Sequence, residues 1–123
     1  MQIHLHGHDF ALLAQGTWAA QPNPVLKLDN PPRRDVVLLP QDGYAVIAFR
    51  ADNPGSWLIH CHIAWHASSG LAVQILEAQQ SAAALITPDK LSKIQKNCDA
   101  WNTWYNNTSH WWDPAEFQDD SGI

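Results

Sequence analysis

Two histidine clusters concentrate the chemistry of this sequence: His4-Leu5-His6-Gly7-His8, and His60-Cys61-His62 followed by His66. A lone His-x-His is weak evidence for a metal, because half-buried strands carry such pairs structurally. Two clusters, one with a cysteine inside it, are stronger. Side chains alternate faces along an extended segment, so His60 and His62 point one way and Cys61 the other. A metal held by Cys61 then sits on one side, and metals held by His60 and His62 on the opposite side. A few covalent bonds through the Cys61 backbone join them. That suits electron transfer between a mononuclear site and a second site. It does not suit a closed structural zinc site, whose ligands converge on one ion. His4 and His6 share a face by the same rule, and His8 shares it unless Gly7 bends the chain. Thiolate plus imidazole is the ligand set of a blue copper centre. Both groups must be deprotonated to bind, so binding weakens in acid.

Strands are needed to hold these residues, and the first 76 positions predict them. Gln2 to His6 alternates, and Phe10 to Ala14 is a short apolar run. Gln21 to Arg34 holds Pro22, Pro24, Pro31 and Pro32 and reads as a loop. Asp35 to Leu39 is rich in β-formers and ends at Pro40; Asp42-Gly43 is a turn signal. Tyr44 to Ala51 alternates, with Ile47 and Phe49 on one face. Asn53-Pro54-Gly55 is another turn, and Ser56 to His60 and Leu71 to Leu76 are further strands. Short strands between turns predict a sandwich or barrel. The pattern then changes. Thr87 is an N-cap with Pro88 at the first helical position, and Leu91, Ile94, Cys98, Trp101 and Tyr105 follow at helical spacing. His66 falls on a loop or short turn, and the residues after Tyr105 read as an irregular tail.

The bulk numbers exclude several classes. The 123 residues suit one domain, and 46% hydrophobic with 15% charged residues fits a globular chain. Net charge is −5 with no basic stripe, which argues against nucleic acid. No apolar run approaches the ~20 residues that span a bilayer, and Met1-Gln2-Ile3-His4 does not open a signal peptide. From Asn97 onward there are five acids and no Lys or Arg, with Trp101, Trp104, Trp111 and Trp112 among them. Asn106-Asn107-Thr108 and Asn107-Thr108-Ser109 are overlapping glycosylation sequons, weak support for secretion. The two cysteines, Cys61 and Cys98, allow one disulfide, but the histidines flanking Cys61 favour a ligand. His110, beside Trp111, reads as a surface histidine.

The paired motifs resemble those of multicopper oxidases, which carry His-Pro-x-His-Leu-His-Gly-His and His-Cys-His-x-x-x-His in their last cupredoxin domain. The second is complete here as His60-Cys61-His62-Ile63-Ala64-Trp65-His66. Asn30-Pro31-Pro32-Arg33-Arg34-Asp35, Asp52-Asn53-Pro54-Gly55 with Trp57, and the ending Asp120-Ser121-Gly122-Ile123 are similar to fungal laccases of the ascomycete type. The resemblance implies an all-β, cupredoxin-like Greek-key barrel or sandwich over residues 1–80, truncated at its N-terminus, with a C-terminal helix and irregular tail over 81–123. It implies that His4 binds type 2 copper, that His6, His60 and His62 bind the type 3 pair, and that Cys61 and His66 bind type 1 copper. Leu71, five residues past His66, takes the axial position. His8 matches the motif without being a ligand and is given a structural role. Trp65 borders the donor pocket or simply packs. The resemblance further implies that the partner of Cys98 is a cysteine in an N-terminal domain, and that Ser121-Gly122-Ile123 enters the channel toward the trinuclear site, the other reading of the acidic tail being a solvated end.

The implied reaction is one-electron oxidation of phenolic donors at type 1 copper and reduction of dioxygen to water at the trinuclear cluster, in a secreted enzyme. Departures qualify this. The family's first motif opens on a type 1 His and Pro, where this chain has Met1 and Gln2. The other trinuclear histidines belong to a domain not in this sequence. The chain is therefore expected to be incomplete, needing the N-terminal cupredoxin domains as partners and inactive toward dioxygen by itself. The alternatives are a copper-binding electron-transfer module, with Met1 as a substitute ligand, or an inactive fragment. A zinc hydrolase, suggested by His-x-His-x-His alone, is disfavoured by the histidines around Cys61.

Overall fold

Each alternating or β-branched run forms a strand. Among the described residues, 1–110 of this computed structural model, these are β1 (Gln2–Leu5), β2 (Phe10–Thr17), β3 (Arg33–Arg34), β4 (Val36–Leu38), β5 (Gly43–Ala48), β6 (Gly55–Cys61) and β7 (Ala72–Glu77). The expectations resting on Trp111, Trp112, the acids from Asp113 to Asp120 and Ser121-Gly122-Ile123 lie outside the described residues.

The strands build two antiparallel sheets, one ordered β4-β1-β6-β7 and the other β3-β2-β5. Two differences from the sequence reading come from pairing rather than propensity. β2 runs to Thr17, beyond the expected Ala14, because β5 pairs along its length through an irregularity between Leu12 and Ala14. The Pro-rich loop ends earlier than expected, because Arg33 and Arg34 pair with Ala11 and Phe10. Leu5, Phe10 and Val37 form the buried centre, with Ile3, Leu12, Ala45, Ile47, Phe49, Ile59 and Ile75 packed around them. Burying a side chain such as Phe10, which is 0% exposed, stabilises the fold by roughly 1.5–3 kcal/mol.

Three helices follow or interrupt the strands. α1 (Ala64–Ser68) carries His66 where only a loop or turn was expected. α2 (Gln79–Leu85) was not anticipated; its alanines favour helix once β7 ends at Glu77 and Ala78 turns left-handed. α3 (Pro88–Tyr105) matches the expected helix, with Pro88 in its first turn and the Thr87 hydroxyl accepting from the Lys90 N–H at 3.4 Å. Its apolar residues Leu91, Ile94, Trp101, Trp104 and Tyr105 are exposed, and the helix has no buried residue. Val73 and Leu76 of β7 are also exposed. Cys61 and Cys98 are both unpaired, so no disulfide joins them.

Candidate metal centre

The centre is built by pairing β1 with β6. His4 lies opposite His60 and Ile3 opposite Cys61, so period-two alternation puts the histidines on one face and Ile3, Leu5, Ile59 and Cys61 on the face toward the core. Cys61 is 0% exposed. The rows continue into His6 and His62, just past the strand ends. The four imidazoles gather, with ring centroids 4.7 Å apart for His4–His6, 5.1 Å for His6–His60, 5.6 Å for His60–His62, and 5.7 and 5.9 Å from His4 to His60 and His62. His6 Nε2 and His60 Nε2 approach to 3.0 Å.

Backbone carbonyls orient two of these rings. His4 Nδ1 lies 2.9 Å from the Asp35 carbonyl, and His60 Nδ1 lies 2.9 Å from the Cys61 carbonyl. A carbonyl only accepts, so in both rings Nδ1–H donates and the Nε2 lone pair faces outward. That is how metal-ligating histidines are commonly fixed. His6 has its pKa held below 6.5, by desolvation first and then by the like charges of His4, His60 and His62. A lowered pKa keeps its neutral, ligating form available further into acid.

The opposite side of β6 holds a different pair. After Cys61 the chain turns into α1, and His66 Nδ1 comes within 3.4 Å of Cys61 Sγ. Two donors this close could be shared by one ion, with Cys61 and His66 as the residues that would hold it. Leu71 N–H donates to the His66 carbonyl at 2.9 Å, and Cys61 N–H donates to the Leu71 carbonyl at 3.1 Å. Leu71 therefore sits beside both. Met1, His66, Ser69, Gly70 and Leu71 line one shallow depression, so Met1 borders this site.

The residues fit copper in donor type: a soft thiolate with imidazole on one side, imidazoles alone on the other. Among the described residues, no set of three or more His, Cys, Asp or Glu side chains is arranged to hold one ion. The close approaches come as pairs, so further ligands would have to complete each site. Two histidines stand apart. His110 stacks on Trp104, 5.0 Å between centroids. His8 leaves the histidine face because Gly7 adopts φ +70°, and its Nε2 lies 3.0 Å from Glu77 Oε1. Glu77, one residue past the expected strand Leu71 to Leu76, was not singled out in the sequence.

A family model described as "Multicopper oxidase" matches residues 2–81. A laccase of Arthroderma benhamiae is 55% identical over 98% of this chain, and Laccase-1 of Botryotinia fuckeliana is 54% identical over 98%. In each case the chain spans 20% of the relative's length. The crystal structure of the laccase from Botrytis aclada superposes with a TM-score of 0.69 at 46% identity, covering 99% of this chain and 22% of that one. Fet3p, a multicopper oxidase that functions in iron import, gives 0.62 at 29% identity, covering 80% of this chain and 21% of its own. With a family model matching residues 2–81, relatives 54 and 55% identical over nearly the whole chain and a shared cupredoxin fold, the chain belongs to the multicopper oxidase family.

Proposed function

We propose that this chain is the C-terminal cupredoxin portion of a laccase-type oxidase. In this reading Cys61 and His66 hold type 1 copper, His4 holds type 2 copper, and His6, His60 and His62 contribute to the type 3 pair. The observation that carries it is the division across one strand: Cys61 with His66 at 3.4 Å on one side, His60 with His6 at 3.0 Å on the other. Copper, when bound, supplies one-electron oxidation of phenolic donors and reduction of dioxygen to water.

The chain's own residues do the rest. Cys61 provides the thiolate and, lying between His60 and His62, links both faces by a few covalent bonds. The Asp35 and Cys61 carbonyls hold His4 and His60 as Nε2 ligands. Four imidazoles are too few for three coppers, so the remaining ligands come from other cupredoxin domains of the protein. The exposed apolar surfaces of α3 and β7 support such partners, and Cys98 is left for a cysteine elsewhere. Secretion is part of the same reading.

The test uses the complete protein that carries this chain, loaded with copper. It should be intensely blue and take up dioxygen with a phenolic donor, and His62→Ala should abolish uptake while leaving the blue colour. A colourless protein, or uptake unchanged in His62→Ala, would overturn the assignment. The axial position gives a second expectation. Leucine has no lone pair to donate, whereas methionine does, and a donor stabilises the oxidised ion. Leu71→Met should lower the type 1 reduction potential measured by redox titration; an unchanged or raised potential removes Leu71 from the axial role.

A further inference from the structure

The turn that carries His6 is held at three consecutive residues. His8 Nδ1 lies 2.9 Å from the His6 carbonyl, and a carbonyl only accepts, so this nitrogen donates. Asn53 Nδ2 donates to the Gly7 carbonyl at 2.9 Å, and Trp57 Nε1 donates to the Asn53 carbonyl at 2.7 Å. His8 Nε2 faces Glu77 Oε1 at 3.0 Å, with the two side chains only 4% and 2% exposed. Phe49 and Trp57 rings enclose the imidazole at 5.1 and 5.9 Å. The Trp57 ring also lies against Gly7, leaving no room for a Cβ there.

We propose that Asn53, His8 and Glu77 are positioning residues for the His6 ligand, with Trp57 as their backing. The inference rests on the copper reading of the histidine face. Its reasoning is energetic. A buried His–Glu pair is a poor source of stability, because desolvation offsets the attraction, and replacing both partners by apolar groups is often neutral or stabilising. His8 Nε2 and both Glu77 carboxylate oxygens are buried without a hydrogen-bond partner among the described residues, close as they lie, which makes the pair poorer still. What the pair supplies is geometry. Glu77 lies at the Nε2 end of the His8 ring and Phe49 and Trp57 lie against it, so the ring is held with Nδ1 at the His6 carbonyl. The Asn53 bond holds the next carbonyl, so two successive carbonyls of the turn that carries His6 have side-chain donors. Groups one step behind a ligand commonly change metal affinity by 10- to 100-fold when removed.

The test is the double variant His8→Phe/Glu77→Leu in the complete copper-loaded protein, with Asn53→Ala and Glu77→Gln beside it. Copper retention is measured against a graded chelator, together with the blue absorption of the Cys61 site, the electron paramagnetic resonance of the non-blue copper and the unfolding midpoint. The double variant should keep the blue band and the midpoint, yet hold its non-blue copper roughly 10-fold or more weakly, with an altered resonance signal. Asn53→Ala should weaken it in the same direction. Glu77→Gln should restore retention, because its amide can donate to His8 Nε2. Unchanged retention in the double variant overturns the proposal. So does loss of the blue site together with the non-blue copper, which would make the pair a requirement of folding. A wild-type protein with no copper beyond the blue site would instead sink the underlying reading and the inference with it.

Discussion

If Cys61 holds copper as proposed, replacing it by serine in the complete copper-loaded protein should bleach the blue colour and reduce phenol-dependent dioxygen uptake to background, while copper on the histidine face remains. Serine keeps the size of the side chain but offers a hard, poorly acidic hydroxyl in place of a thiolate, and softness selects the metal at this site. The change also leaves His60 and His62 in place, because the strand and its pairing with β1 are set by backbone bonds. Cys61 is 0% exposed, so an unpartnered hydroxyl there costs about 1–3 kcal/mol, too little to unfold a protein of ordinary stability. Absorption spectroscopy and copper analysis on one sample check the prediction. A blue serine variant would remove the thiolate from the site, and loss of all copper would show that the two faces are not independent.

The second large effect is expected at Gly7, for reasons of backbone and space. Its φ is +70°, and an added Cβ would lie 2.5 Å from Trp57 Cδ2 and Cε3. An L-residue in the left-handed region costs roughly 1–2 kcal/mol, and overpacking adds typically 1–3 kcal/mol. Gly7→Ala should therefore lose about 2–5 kcal/mol, a large share of the 5–15 kcal/mol available to a typical domain. Gly70 supplies the control: its φ is +101°, but an added Cβ meets nothing within 4 Å. Gly70→Ala should show the backbone cost alone. Urea unfolding of both variants decides the matter; equal midpoints would mean that Trp57 yields freely.

Local chemistry made much of this protein legible from residue order. The division between Cys61 and its flanking histidines needed only the period of a strand, which holds wherever a strand forms. Thr87 and Pro88 announced α3, because a cap and a fixed φ act within one turn. The alternation of Tyr44 to Ala51 put Ile47 and Phe49 on one face, and the structure packs both on the buried centre.

Other features had no local cause, and only the tertiary structure decided them. Gly7 permits either direction of the chain. Trp57 packed against it, and Asn53 bonded to its carbonyl, select the bend that sends His8 into the interior. Glu77 acquires its role only because β6 and β7 bring it beside a histidine 69 positions earlier. His66 reaches Cys61 through α1, a helix whose five residues carry no cap to announce it. The apolar face of α3 was visible as a pattern, but a pattern cannot say what it faces, and here it faces outward. In each case residues distant in sequence supply the contact that chooses among conformations which local preferences leave close in energy.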